Sequence, residues 1–160
     1  AKIFVIEPIA SRRELALKLG ATQVIDPGGG DPGKIVAKAT NNLRADAAID
    51  CAGIQASFDT AVRTTGRRAT ICVAGLALKS IEVPFSQLWA HEKTITFTSG
   101  YENEFSAAIA LLANGQVNIE ELITARIALE DIKDAGFETL LKNADQHIKI
   151  IVYPNGTPDE

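Results

Sequence analysis

Five short apolar runs, separated by helix-compatible stretches, constrain the fold of this chain more than any other feature. They are Lys2 to Glu7, Thr22 to Asp26, Ala47 to Cys51, Ala69 to Ala74 and Thr94 to Ser99. Their interiors are near-continuous apolar residues rather than a strict apolar/polar alternation, which is the pattern of strands covered on both faces. Strands of this kind alternating with helices imply a parallel sheet with crossover helices. Arg12 to Leu19 reads as a helix ended by Gly20, a natural C-cap. Gly33 to Asn42 starts a helix after Pro32, Ser57 to Thr65 ends one at Gly66, and a short piece lies near Ser86 to His91.

After Gly100 the rhythm changes. Glu104 to Asn114 reads as an amphipathic helix closed by Gly115, and Leu122 to Ala128 as a strand. Leu129 to Lys142 reads as a second helix, with Leu129, Ile132, Ala135, Phe137, Leu140 and Leu141 as its apolar stripe. A final strand, His147 to Tyr153, stops at Pro154. We therefore expect a boundary near residue 100, dividing 1–100 from 101–160.

With 46% hydrophobic and 22% charged residues, the 160-residue chain can bury a core and is not disordered by composition. Its net charge of −4 argues against a nucleic-acid footprint. No apolar run approaches the roughly 20 residues that span a bilayer. The two cysteines, Cys51 and Cys72, sit in apolar runs and read as buried thiols of a cytoplasmic protein. There is no methionine, and the first residues already form a strand, so we expect a piece of a longer protein.

Glu7, at the end of the first run, is the leading candidate for binding. In dinucleotide-binding folds an acid at a strand end accepts hydrogen bonds from both hydroxyls of the adenosine ribose. Its charge would repel a 2'-phosphate, favouring NAD over NADP. The alternative is a solvated acid. Arg12, a turn into the next helix, is either an adenosine-side cation or a surface charge. Asp50-Cys51-Ala52-Gly53, Val73-Ala74-Gly75 and Ser99-Gly100 each mark a strand giving way to small residues. A ligand crevice in an open parallel sheet lies there, though each is also compatible with a plain turn.

Gly28 to Lys34 meets the spacing of a phosphate loop. Ile35 replaces the magnesium-binding Ser or Thr, Pro32 removes an amide donor, and Asp31 puts a negative charge where phosphate would sit. His91 and His147 make no convincing metal set with Cys51 or Cys72. No serine elbow is present, and the chain contains no self-contained catalytic constellation.

The order of these motifs resembles the C-terminal part of the zinc-containing medium-chain alcohol dehydrogenases, especially the butanediol, sorbitol and threonine dehydrogenase group. The matching text is VIEPIASRRELALKLGATQVIDP, AAIDCAG, GRRATICVAG and the tail LITARIALEDIKDAGFETLL with HIKIIVYP. The resemblance implies an α/β fold: a Rossmann-type doubly wound parallel sheet lacking its first strand and glycine-rich turn, plus a C-terminal helix and strand segment belonging to the catalytic domain. It implies that Glu7 binds ribose and Arg12 the adenosine side. Cys51, Ala52 and Gly53 would lie near adenosine and ribose. Val73, Ala74 and Gly75 would meet the nicotinamide amide, Thr98 and Ser99 would form a second such segment, and Lys149 would reach the diphosphate. The cofactors implied are NAD and a zinc ion whose ligands are not in this sequence.

The implied activity is hydride transfer between NAD(H) and a secondary alcohol, polyol or vicinal diol. A homo-oligomer paired through the strand 94–99 edge is also implied, with no nucleic-acid or membrane partner. In the strand order 3-2-1-4-5-6 the first strand is central. Its absence should leave a slot of about two strand spacings, about 4.8 Å each, with unpaired backbone on both sides. The isolated chain is accordingly expected to be poorly stable and inactive. The alternative is a non-catalytic nucleotide- or partner-binding module.

Overall fold

All five runs overlap a strand in the computed structural model, which describes residues 1–156. Ile71 is fully buried, and Ala69 and Val73 in the same run nearly so. Burying an aliphatic side chain of that size contributes roughly 1.5–3 kcal/mol, so this run is driven to the interior. It forms β4 (Thr65–Val73), which lies between β3 (Ala45–Asp50) and β5 (Thr94–Phe97) in a parallel three-stranded sheet. Parallel neighbours need crossovers. α3 (Gln55–Thr64) supplies the first, and α4 (Phe85–Ala90) lies in the second. Phe58, Ala61 and Val62 of α3 and Leu88 of α4 complete the core with Ile71 and Val73.

β1 (Phe4–Ile6) and β2 (Gln23–Ile25) form their own parallel pair. Among the described residues no ladder joins β1 to β3. The sheet is therefore interrupted where the strand-order argument puts a slot. Ile49, inside β3, is 70% exposed, a value that an internal strand of a continuous sheet would not leave. α2 (Pro32–Ala39) packs against α3 and buries Val36 and Ala37.

The chain divides into two compact units. One comprises Ala1–Pro8 and Gly20–Gly100, the other Ile9–Leu19 and the residues from Tyr101 on. The second unit contains α1 (Ala10–Lys18), α5 (Glu104–Ala113) and the parallel pair β6 (Ile123–Ala128) and β7 (Lys149–Tyr153).

Several local expectations are corrected. The helix expected to stop at Gly66 stops at Thr64, and Gly66 lies within β4. The Thr64 hydroxyl donates to the Thr60 carbonyl (2.8 Å) and the Thr65 hydroxyl to that of Ala61 (2.7 Å). The Lys93 ammonium donates to the Val62 and Thr65 carbonyls (2.5 and 2.9 Å). With the Thr65 N–H on the Ala61 carbonyl, these bonds add partners at a helix end, where the last carbonyls lack intrahelical donors. Beyond it, β4 bulges between its pairings Ala45–Thr65 and Ala47–Thr70, and both Arg67 and Arg68 meet Glu92. The pair holds the Glu92 carboxyl below its ordinary value, chiefly through the Arg68 hydrogen bond.

The single helix expected over 129–142 is three pieces: a 3-10 turn (Leu129–Asp131), a π-helix (Ile132–Glu138) and α6 (Thr139–Lys142). Of its stripe, Ile132, Ala135 and Leu140 are half-buried, whereas Leu129, Phe137 and Leu141 are exposed. Gly136 is buried instead, where a Cβ would lie 3.3 Å from Ile127 Cδ1. The helix expected over 104–114 is α5, in which no residue is buried and Phe105 and Ile109 are each 62% exposed. Neither thiol is buried. Cys51 lies one residue beyond β3 and is exposed, and Cys72 is half-buried.

Candidate functional site

The last residues of three parallel strands stand level. Asp50 of β3 pairs in register with Val73 of β4, and Val73 with Phe97 of β5. The segments that follow, Cys51 to Gly53, Ala74 to Gly75 and Thr98 to Ser99, therefore begin side by side along one edge of the sheet. That edge, beyond the carboxyl ends of the strands, is where open α/β sheets bind ligands. The Thr98 N–H donates to the Val73 carbonyl (3.2 Å), tying the third segment to the second strand. Cys51, Ala52, Ala74, Thr98 and Ser99 are exposed.

Asp50 joins the first two turns. It is 4% exposed. Its Oδ1 accepts the amides of Ala52 (3.0 Å) and Gly53 (3.2 Å), and its carbonyl accepts those of Ala74 and Gly75 (both 2.8 Å). Gly53 has φ +66°, and a Cβ there would stand 2.8 Å from the Gly75 carbonyl carbon and oxygen. A Cβ on Gly75 would meet the Gly53 backbone nitrogen at 2.3 Å. The two turns touch backbone to backbone, which only paired glycines allow. Sequence reasoning singled out the DCAG turn but not the aspartate as its organiser. The available signal was the acid two and three residues before amides that need an acceptor, the pattern of an Asx turn.

Glu7 follows β1, half-buried, with its N–H donating to the Ile25 carbonyl (3.1 Å). It belongs to the same unit as the turns, whereas Arg12 and Lys149 belong to the other. Within that unit Arg12 is half-buried, and its Nη2 donates to the carbonyls of Ala144 (2.9 Å) and His147 (3.2 Å). Lys149, the first residue of β7, is exposed. The Gly28 to Lys34 loop does not form a phosphate cradle. The Asp31 carboxylate caps α2 by accepting the Gly33 amide (2.9 Å), and Asp26 Oδ1 accepts that of Gly28 (2.8 Å). Amides that a phosphate would need are already directed at carboxylates. Among the described residues, no three or more His, Cys, Asp or Glu stand together to hold a metal ion, and no helix is long and apolar enough to cross a membrane.

Known proteins bear directly on this arrangement. The chain is 30% identical to (R,R)-butanediol dehydrogenase of Neisseria gonorrhoeae over 155 residues, which cover 96% of this chain and 44% of that protein. It is 29% identical to sorbitol dehydrogenase of Mus musculus, over 97% of this chain and 44% of that one. The crystal structure of 2R,3R-butanediol dehydrogenase from Bacillus subtilis superposes with a TM-score of 0.87 at 26% identity, covering 96% of this chain and 44% of that one. The chain thus spans less than half the length of these relatives. Residues 1–114 match the family described as zinc-binding dehydrogenase, and the chain belongs to that family.

Proposed function

We propose that this chain is the coenzyme-binding part of an NAD(H)-dependent, zinc-type dehydrogenase acting on a secondary alcohol, polyol or vicinal diol such as butanediol. The observation that carries this reading is the pair of interlocked glycine turns beyond adjacent parallel strands. They present backbone rather than side chains to a flat ring. The Cβ positions of Gly53 and Gly75 are filled by the backbone of the opposite turn, which lets the two turns pack closely beyond the carboxyl ends of the strands, where open α/β sheets bind ligands. Glu7 accepts the ribose hydroxyls, with Cys51, Ala52 and Gly53 near adenosine and ribose. Val73, Ala74 and Gly75 meet the nicotinamide amide, and Thr98 and Ser99 form a second contact. Arg12 serves the adenosine side and Lys149 the diphosphate. The coenzyme supplies hydride acceptance when bound.

Among the described residues no cluster of His, Cys, Asp or Glu fits a zinc ion, and the zinc ligands belong to polypeptide outside this chain. Residues 1–100 act as the coenzyme domain, and 101–160 complete a catalytic domain. The protein works in the cytoplasm and assembles with its own kind through β5, where Phe97 is 74% exposed.

Titration with NADH and NADPH, followed by nicotinamide fluorescence, tests the reading. NADH should bind more tightly than NADPH. Glu7→Ala should weaken NADH about tenfold, the effect of one lost charge-assisted contact, and relax the bias against NADPH. An unchanged preference removes Glu7 from the ribose site, and no binding of either nucleotide refutes the proposal. With NAD, zinc and butanediol, the isolated chain should show no turnover above a blank.

A further inference from the structure

Asp50 joins two turns of the site through its side chain and its own carbonyl. One buried side chain and its own carbonyl receive four amides from two turns that are separated by more than twenty residues. Two of those amides, from Ala52 and Gly53, reach the carboxylate, and two, from Ala74 and Gly75, reach the backbone oxygen. The second carboxylate oxygen, Oδ2, is buried with no hydrogen-bond partner among the described residues. A buried acceptor left unpaired is costly, so a carboxylate placed here must return that cost through Oδ1.

The two pairs of bonds differ in what they need. The Ala74 and Gly75 bonds survive any side chain at position 50, because they use the backbone. The Ala52 and Gly53 bonds need an oxygen at Oδ1. Ala52 is in a bend, and neither it nor Gly53 lies in a helix or strand, so no ladder would protect their amides. Losing the carboxylate would free the first turn while leaving the second in place, and the close fit of Gly53 against Gly75 would relax.

We infer that Asp50 is a positioning residue: it locks the 51–53 turn against the 74–75 turn, so that both backbones present one rigid face to the coenzyme. This rests on the coenzyme reading above, but its principal test does not. In backbone amide hydrogen exchange followed by NMR, Ala52 and Gly53 of the unsubstituted chain should be protected. Asp50→Ala should raise their exchange at least about tenfold, while Ala74, Gly75 and the core amide of Ile71 change little. Asp50→Asn, which keeps an oxygen at Oδ1, should preserve the protected pattern.

Should Asp50→Ala fail to fold, the unsubstituted chain still decides. Exchange of Ala52 and Gly53 at the rate of an unstructured peptide overturns the inference, as does equal loss of protection at all four amides in a folded Asp50→Ala. In the coenzyme arm, Asp50→Ala should weaken NADH about tenfold and Asp50→Asn by less than about threefold. An Asp50→Ala chain that loses turn protection yet binds NADH as before overturns the positioning role. A chain that binds no NADH at all refutes the coenzyme reading, and with it the presented face, while the amide pattern still reports whether Asp50 holds the turn.

Discussion

Substituting Gly53 separates backbone strain from close packing. Alanine at Gly53 must adopt φ +66°, and its Cβ would stand 2.8 Å from the Gly75 carbonyl carbon and oxygen and 2.9 Å from the Leu76 carbonyl carbon. A left-handed backbone costs a non-glycine residue roughly 1–2 kcal/mol. The steric conflict is with main chain, which cannot swing aside, and overpacking of that kind costs about 1–3 kcal/mol. Gly100 is the control: it has φ +69° but nothing within 4 Å of an added Cβ. Gly100→Ala therefore carries the backbone cost alone. Both substitutions stiffen the unfolded chain equally, so that contribution cancels in the difference. The expected gap between the two variants is about 2 kcal/mol, or about 1 M in urea midpoint for an m-value of about 2 kcal/mol/M. Urea unfolding followed by circular dichroism reads it, with a stabilising osmolyte present where the native baseline is short. Midpoints that agree within about 0.2 M at unchanged m would refute the contact between the two turns.

Two further outcomes are expected. Lys93→Met should destabilise the first unit by about 1–2 kcal/mol, because the Val62 and Thr65 carbonyls lose the ammonium as a donor. Burial first, and the Arg44 charge second, lower the Lys93 pKa from its ordinary 10.5. The unfolded chain then holds this proton more tightly, so stability should rise as pH climbs through the folded pKa toward 10.5. The methionine variant should lack that rise, and a pH series of thermal melts would reveal a parallel slope if the assignment is mistaken. Phe97→Lys, on the outer edge of the three-stranded sheet, should reduce self-association in sedimentation velocity with little change in melting temperature, since the ring is 74% exposed. An undiminished oligomer would exclude that edge.

The strands were legible because their chemistry is one-sided: residues such as Ile71 and Ile25 have no stable place except the interior. Their level carboxyl ends followed from parallel pairing, and the gap beside β3 followed from strand order. What escaped depended on contacts distant in sequence. The end of α3 is fixed by Lys93, almost thirty residues on, so Gly66 was a misleading stop. Cys51 reads as apolar core, yet the strand ends one residue earlier and leaves it outside. The stripe of 129–142 was phased at 3.6 residues per turn, but the backbone widens through Ile132–Glu138, so Phe137 and Leu141 turn outward. Asp50 was visible as a residue but not as an organiser, because its second set of amides comes from the next strand's turn.

That widened coil has a consequence for how this segment tolerates length changes. Each i→i+5 turn holds one residue more than an ordinary turn. Removing one residue between Asp134 and Glu138 would restore ordinary winding, because the residue lost is the extra one of the wide turn, and the helix beyond would keep nearly its present phase. Leu140, now half-buried, and Leu141, now outside, would keep their surroundings. The wide coil is thus a reserve of length: one residue can leave it without changing which leucine faces inward.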